Sequence, residues 1–333
     1  MIKMLRWLSY GLVVFSFNIS AATINDGLVL FNQKEFKEAK AIFGPLAEQG
    51  DARAMFWLGV TQFRTGEQFK ASSSLHEAAE AGDPWAMHLM VPSYNGNCAY
   101  LGWPCDEAWM DKAISGWKKL ADKGNGNAMY ALLRWGEKPW WAYVPILKQK
   151  KYGELVEDAV KAGGYDAVSF NTGIPLNIRK RVEILQYAIN KNHAPSMIDL
   201  YSASENHISM DIDKVVLLKR ALFLGFGGQV LIFELKKMIP DIESSDDLEH
   251  LSIKEKKMLS DLYYYSLINQ KVTGKLDFKP YKRVYGEQRE RIRLELFSPE
   301  KKKKIEEKAR KFLVDFKVNL FIDEASSVHA LLR

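Results

Sequence analysis

The sequence predicts an all-α chain of stacked antiparallel helix pairs, closed by a helical C-terminal cap. Two observations carry that expectation. A ten-residue phrase returns along the chain, as LAEQGDARAM (46–55), AAEAGDPWAM (78–87) and LADKGNGNAM (120–129). Weaker copies follow as AVKAGGYDAV (159–168), AINKNHAPSM (188–197) and ALFLGFGGQV (221–230). Between copies, Asp106 to Asp122 places Trp109, Ala113, Trp117 and Leu120 at steps of three and four, which is one apolar stripe of an amphipathic helix. No stretch sustains period-two alternation with hairpin turns, so almost no sheet is expected.

The chain opens on Lys3 and Arg6, an apolar run from Trp7 to Phe17, and the small residues Ser20, Ala21 and Ala22. That is the layout of a cleaved export signal over residues 1–22. A membrane anchor is the alternative reading, but the run is short of the ~20 residues a span needs. A mature chain near Thr23 is therefore expected outside the cytoplasm, in a bacterium in the periplasm, with no integral membrane segment. Hydrophobic residues make up 47% and charged residues 26%, ordinary for a folded protein. The net charge of +6 is unevenly spread. Residues 23–250 carry 25 Lys and Arg against 29 Asp and Glu, whereas residues 251–333 carry 20 against 12. A basic end suits nucleic acid, an anionic membrane face or an acidic protein, or is simply a solvated helical surface. Export argues against nucleic acid.

From Thr23 to about residue 240 the chain reads as the repeat array. The turn position holds Gly50, Gly82, Gly124, Gly163, Asn192 and Gly225, at spacings of 32, 42, 39, 29 and 33. Glycine, or asparagine in its place, closes a helix in the left-handed conformation. Asp51, Asp83 and Asn125 follow as N-caps of the next helix. Ala54, Ala86, Ala128, Ala167 and Ser196 are small, so that neighbouring helices approach closely. Met55, Met87, Met129, Val168, Met197 and Val230 come next and are expected to fill the core between repeats. Asp106 is the expected cap of the helix that carries Trp109 and Trp117.

Cys98 and Cys105 are the two cysteines. They lie close together in a loop-like stretch, and an oxidising compartment favours a disulfide between them. Zinc is a poor alternative, because no histidine stands at suitable spacing. Residues 241–333 read as a basic helical cap or, alternatively, an interaction region. Ser252 and Glu255 form a capping box, residues 274–286 read as a loop, and Ser298 with Pro299 starts a further helix through Ile305, Ala309, Phe312, Leu313 and Phe316.

No catalytic pattern stands out. The six histidines make no His-Glu-x-x-His pattern, and no Gly-x-Ser-x-Gly elbow occurs. Ser115 and Lys118 match Ser-x-x-Lys by letter only, inside an expected surface helix. Asp211 and Asp213 could be a metal pair, but Asp213 fits a helix start better. The reading is of a binding protein rather than an enzyme, with no cofactor.

Three positions after the turn residue come Arg53, Trp85, Asn127 and Asp166. They vary while their neighbours do not, as residues facing a partner would. Trp140, Trp141 and Tyr143 are added, because Trp and Tyr are enriched at binding hot spots; covering the core is their alternative role.

The pattern resembles the Sel1-like repeat family, a branch of the tetratricopeptide-type arrays. The likeness is tightest over residues 78–129, clear from Phe36 to Leu133, and weaker to about residue 235. Residues 134–158, with EKPWWAYVPILKQKKYG, depart from it. The resemblance implies a right-handed α/α superhelix with a concave binding face. It also implies that the cysteine pair links the two helices of one repeat. The partner it implies is another protein, either a toxic effector or an envelope protein. Exported members include immunity proteins that block effectors of type VI secretion, such as phospholipases. The family's other roles, as envelope or virulence adaptor and as penicillin-binding factor, stand beside that one.

Overall fold

The computed structural model describes residues 22–206, 209–239, 252–285 and 291–332. All but the last residue of the expected export signal lies outside them, as does the boundary expected near residue 240.

The described chain is all-α apart from one small hairpin. Helices α1 (Ile24–Asn32), α2 (Phe36–Glu48), α3 (Ala52–Arg64) and α4 (Gln68–Glu80) pack each on the next. The array continues with α5 (Pro84–Leu89), α6 (Asn97–Leu101), α7 (Trp109–Ala121) and α8 (Gly126–Trp135). A 3-10 turn at Trp140–Tyr143 leads into α9 (Pro145–Lys161), and α10 (Ile178–Asn190), α11 (Ala194–Asn206), α12 (Lys214–Phe223) and α13 (Gly228–Lys237) follow. After these come α14 (Ile253–Thr273), strands β1 (Tyr281–Tyr285) and β2 (Arg291–Glu295), α15 (Pro299–Leu313) and α16 (Val328–Leu331).

All six expected turn residues adopt positive φ, from 61° at Asn192 to 100° at Gly82. Each makes the same closure. At the first, the Gly50 amide donates to the Ala47 carbonyl and the Asp51 amide to that of Leu46. At the last, Gly225 and Phe226 donate to Leu222 and Ala221. This paired closure satisfies carbonyls that a helix end leaves open. Asp51, Asp83 and Asn125 then cap α3, α5 and α8 through their side chains. Ala54, Ala86, Ala128, Ala167 and Ser196 are all buried, as helix approach requires. Of the residues that follow them, Met87, Val168 and Met197 are buried, whereas Met55, Met129 and Val230 are only partly so.

Four local expectations are corrected. Asp106 does not cap α7; its carboxylate accepts from the Ala108 amide at 2.8 Å and shapes the turn before the helix. After Gly163 the second helix shrinks to a 3-10 turn, Tyr165–Val168, because Gly173 and Pro175 follow too soon for a full helix. The second half of the expected 274–286 loop is β1, paired antiparallel with β2 from Tyr281 opposite Glu295 to Tyr285 opposite Arg291. Tyr281, Arg283 and Tyr285 alternate with Lys282 and Val284, a short strand pattern that the charges obscure. The disulfide forms, but Cys105 lies in the irregular stretch ahead of α7, so the bond clips α6 to that stretch rather than joining two helices. It closes a loop over a sequence separation of seven. Its reduction is expected to cost about 2 kcal/mol, the chain-entropy value for so short a loop. Urea unfolding with and without a reductant measures this.

Two cores run through the described chain. The first extends from Phe31 through Trp57, Trp117 and Leu185 to Ala221. The second gathers α11 to α15 around Leu222, Leu262 and Ile268. The C-terminal segment belongs to both. Phe316 and Val318 enter the second core, and Ile322, Ala325, Leu331 and Leu332 enter the first.

Candidate interaction surface

Arg53, Asn127 and Asp166 each occupy the second position of the element that follows its turn: α3, α8 and the Tyr165–Val168 turn. The spacing of the repeat brings them to one face, and that face is occupied by the chain's own residues 317–332. The Arg53 guanidinium sits 3.3 Å from both carboxylate oxygens of Glu324. The Asn127 amide donates to Asp323 at 3.1 Å. Asp166 lies close enough to repel Asp323. The helix N-termini of α3 and α8 favour negative charge there.

The rest of the segment is held by hydrogen bonds to its backbone, two with other backbone groups and the others with side chains. Asn32 clamps Ile322, its amide donating to the carbonyl at 2.9 Å and its side-chain oxygen accepting from the amide at 2.7 Å. The Leu320 amide donates to the Asn32 carbonyl at 3.0 Å, and the Asn319 amide to the Gly225 carbonyl at 3.2 Å. A Cβ on Gly225 would stand 2.5 Å from Asn319 N and from Lys317 O, so glycine there serves both the helix turn and the passing segment. Phe321, at φ 52°, meets Phe226 and His193 edge-on. The Val328 amide donates to the Tyr94 hydroxyl at 3.2 Å, and Arg64 donates to the Ala330 and Leu331 carbonyls.

This contact is rich in buried carboxylates. Burial, with repulsion from Asp166 and Glu324, holds Asp323 well above the usual carboxylate range. Burial raises Asp83 to about 7 against the hydrogen bond from the Ala86 amide, and Glu324 adds to the rise. Asp166 is raised to about 6 by burial and by Asp199, with Arg134 opposing. Glu324 is buried, while its partner Arg53 is two-fifths exposed. Among the described residues no three His, Cys, Asp or Glu side chains group as a metal-binding set.

The other expected contact residues divide. Trp85 is 4% exposed and packs on Trp117 at 5.2 Å, so it is a core residue, not a contact. Trp141 is half-buried, edge-on to Tyr152 at 5.2 Å. Trp140 and Tyr143 are 72% and 74% exposed. Sequence reasoning missed Asn32, Arg64, Tyr94, Asp323 and Glu324. One pattern could have found the segment. Phe316, Val318, Leu320 and Ile322 alternate apolar with other residues, the period of an extended chain with one buried side.

No family model and no curated relative matches the chain. Solved structures similar to it include a protective antigen of uropathogenic Escherichia coli strains displaying an SLR fold. That protein is 11% identical at a TM-score of 0.39, over 89% of this chain and 62% of that one. A Sel1 repeat protein from Oxalobacter formigenes is 17% identical at a TM-score of 0.33, over 86% of this chain and 82% of that one. The chain thus spans under two thirds of the length of the first of these.

Proposed function

We propose that the chain is a protein-binding scaffold rather than an enzyme, that it acts outside the cytoplasm, and that it neutralises a toxic effector as an immunity protein. One observation carries the scaffold reading. Arg53 and Asn127, two of the positions that vary between repeats, pair with Glu324 and Asp323, while Asn32 and Arg64 hold the backbone of the same segment, which is supplied in cis. The face therefore has the chemistry of peptide recognition: a clamping asparagine, donors to backbone carbonyls, and pockets for Ile322 and Leu331. A partner meets the array and its bound segment as one composite surface. The export-type start and the closed cysteine pair support action in an oxidising compartment. The immunity role rests on the family resemblance of the sequence.

The test is genetic and biochemical together. The product of the adjacent gene, expressed in the cell envelope, is expected to arrest growth, and this chain is expected to restore it and to co-purify with that product. A harmless neighbour, or rescue without a complex, overturns the immunity role.

A further inference from the structure

A second surface lies apart from the terminal segment, at the corner formed by the end of α8, the Trp140–Tyr143 turn and the start of α9. Trp140 and Tyr143 are three residues apart in a 3-10 turn, the spacing that stacks side chains on one face. Ile146 follows three residues later, and the three are 72%, 74% and 83% exposed. Tyr143 also lines a cavity of about 300 Å³ whose charged lining residues are Arg134, Lys138 and Lys148, with no carboxylate. The Arg134 guanidinium is held in place: it donates to the Tyr130 hydroxyl at 2.9 Å and lies 5.0 Å from the centre of the Trp135 ring. Lys150 and Lys151 add exposed charge beside the turn, Lys151 pairing with Glu154 at 2.9 Å. Glu137 is the one carboxylate between Arg134 and Lys151 in sequence.

We propose that this corner is a docking surface for an anionic lipid bilayer, in which Trp140, Tyr143 and Ile146 enter the headgroup layer and a lipid phosphate seats among Arg134, Lys138 and Lys148. Charge complementarity selects the occupant. A cavity lined by three cations suits an anion, and guanidinium and ammonium groups bind phosphate strongly. Trp140 and Ile146 are largely exposed, and Tyr143, which also lines the cationic cavity, is exposed beside them. A protein partner would need a matching pocket for each, whereas a lipid interface takes protruding aromatic and aliphatic side chains without shape matching. Trp and Tyr prefer that interface, and nearby Lys and Arg add attraction to acidic headgroups. Among the described residues no helix is long and apolar enough to cross a membrane.

The test is flotation of the full chain with phosphatidylglycerol–phosphatidylcholine vesicles and with phosphatidylcholine alone, at low and raised salt. Wild type is expected to float with the acidic vesicles and to lose binding as salt rises. The pair Lys138→Glu with Lys148→Glu is expected to weaken binding about tenfold or more. The pair Tyr143→Ser with Ile146→Ser is expected to weaken it at every salt concentration. All forms share the apolar N-terminal run, so differences between them report this corner. Circular dichroism checks that they are folded. Equal flotation of wild type and both variants overturns the proposal, as does a wild-type chain that stays with neither vesicle. Capture of a protein partner that depends on Trp140 while vesicle binding does not overturns it in favour of a protein surface.

Discussion

The double substitution Ile322→Ala with Leu331→Ala is expected to destabilise the array by about 4–10 kcal/mol, because each removes a buried aliphatic side chain worth about 2–5 kcal/mol. The two lie at separate points along the terminal segment, so their costs add. Both sit in the first core, among side chains that come from α1 to α12. The effect reaches beyond the segment. Where the weakened segment detaches, Asn32, on α1, loses its two hydrogen bonds to the backbone of residue 322, which tie residues 290 positions apart. Arg64 then loses the backbone carbonyls of residues 330 and 331 as well. Hydrogen exchange should then rise in α1 and α3 as well as in the segment itself. A contrast comes from Lys317→Ala, which breaks an exposed pair with Glu35 and should cost no more than about 0.5 kcal/mol. Urea unfolding of the three proteins decides the matter. A loss under about 1 kcal/mol for the double variant would show that the segment is a loosely laid tail.

How much of this was legible in the sequence depends on range. The turns at Gly50, Gly82 and Gly124 were readable because a closing glycine, its capping neighbour and the small residue beyond are all local. Asn192 was readable for the same reason, as the side chain best suited to replace glycine at positive φ. Arg53 and Asn127 were expected to face a binding partner; the polypeptide they meet in the structure is residues 317–332. That the polypeptide is the chain's own end was not readable from the repeats. Arg53 and Glu324 are 271 residues apart, and no local pattern joins them. Trp85 shows the opposite failure. Its position in the phrase matches Arg53 and Asn127, but the ring is too large and apolar to stay outside while Trp117 offers it a face. The hairpin β1–β2 was hidden by its charges, which mask the alternation of so short a strand.

The substitution Asp323→Asn is expected to stabilise the protein by about 1–2 kcal/mol at pH 8 and to have little effect near pH 5. The sign follows from proton linkage. Asp323 is held well above its ordinary value of 3.8, so the folded chain binds its proton more tightly than the unfolded chain does. Its contribution to stability is full in acid and is lost as pH rises from about 4 through the folded value. Above that point the folded state carries an extra buried charge beside Asp166 and Glu324. An amide of the same shape removes that charge. The hydrogen bonds survive the change. The oxygen that accepts from the Ala325 amide at 2.9 Å is kept, and the new amine faces Asn127. Asn127 Oδ1 is buried without a partner among the described residues, so a flip of that side chain turns a free acceptor toward the new donor. Asp83 and Asp166, raised to about 7 and about 6, bend the wild-type curve the same way. The buried imidazoles of His88 and His193, lowered to about 3 and about 4, bend it in the opposite sense. Asp83 and the two histidines are common to both proteins and largely cancel in the difference, whereas Asp166 loses its repulsion from Asp323 in the variant, which widens the gap at high pH. Paired denaturation curves at pH 5 and pH 8 should show a gap that opens with rising pH. A variant less stable by the same amount at both values would mean that Asp323 is already ionised when folded and that its hydrogen bond from Asn127 outweighs the cost of the buried charge.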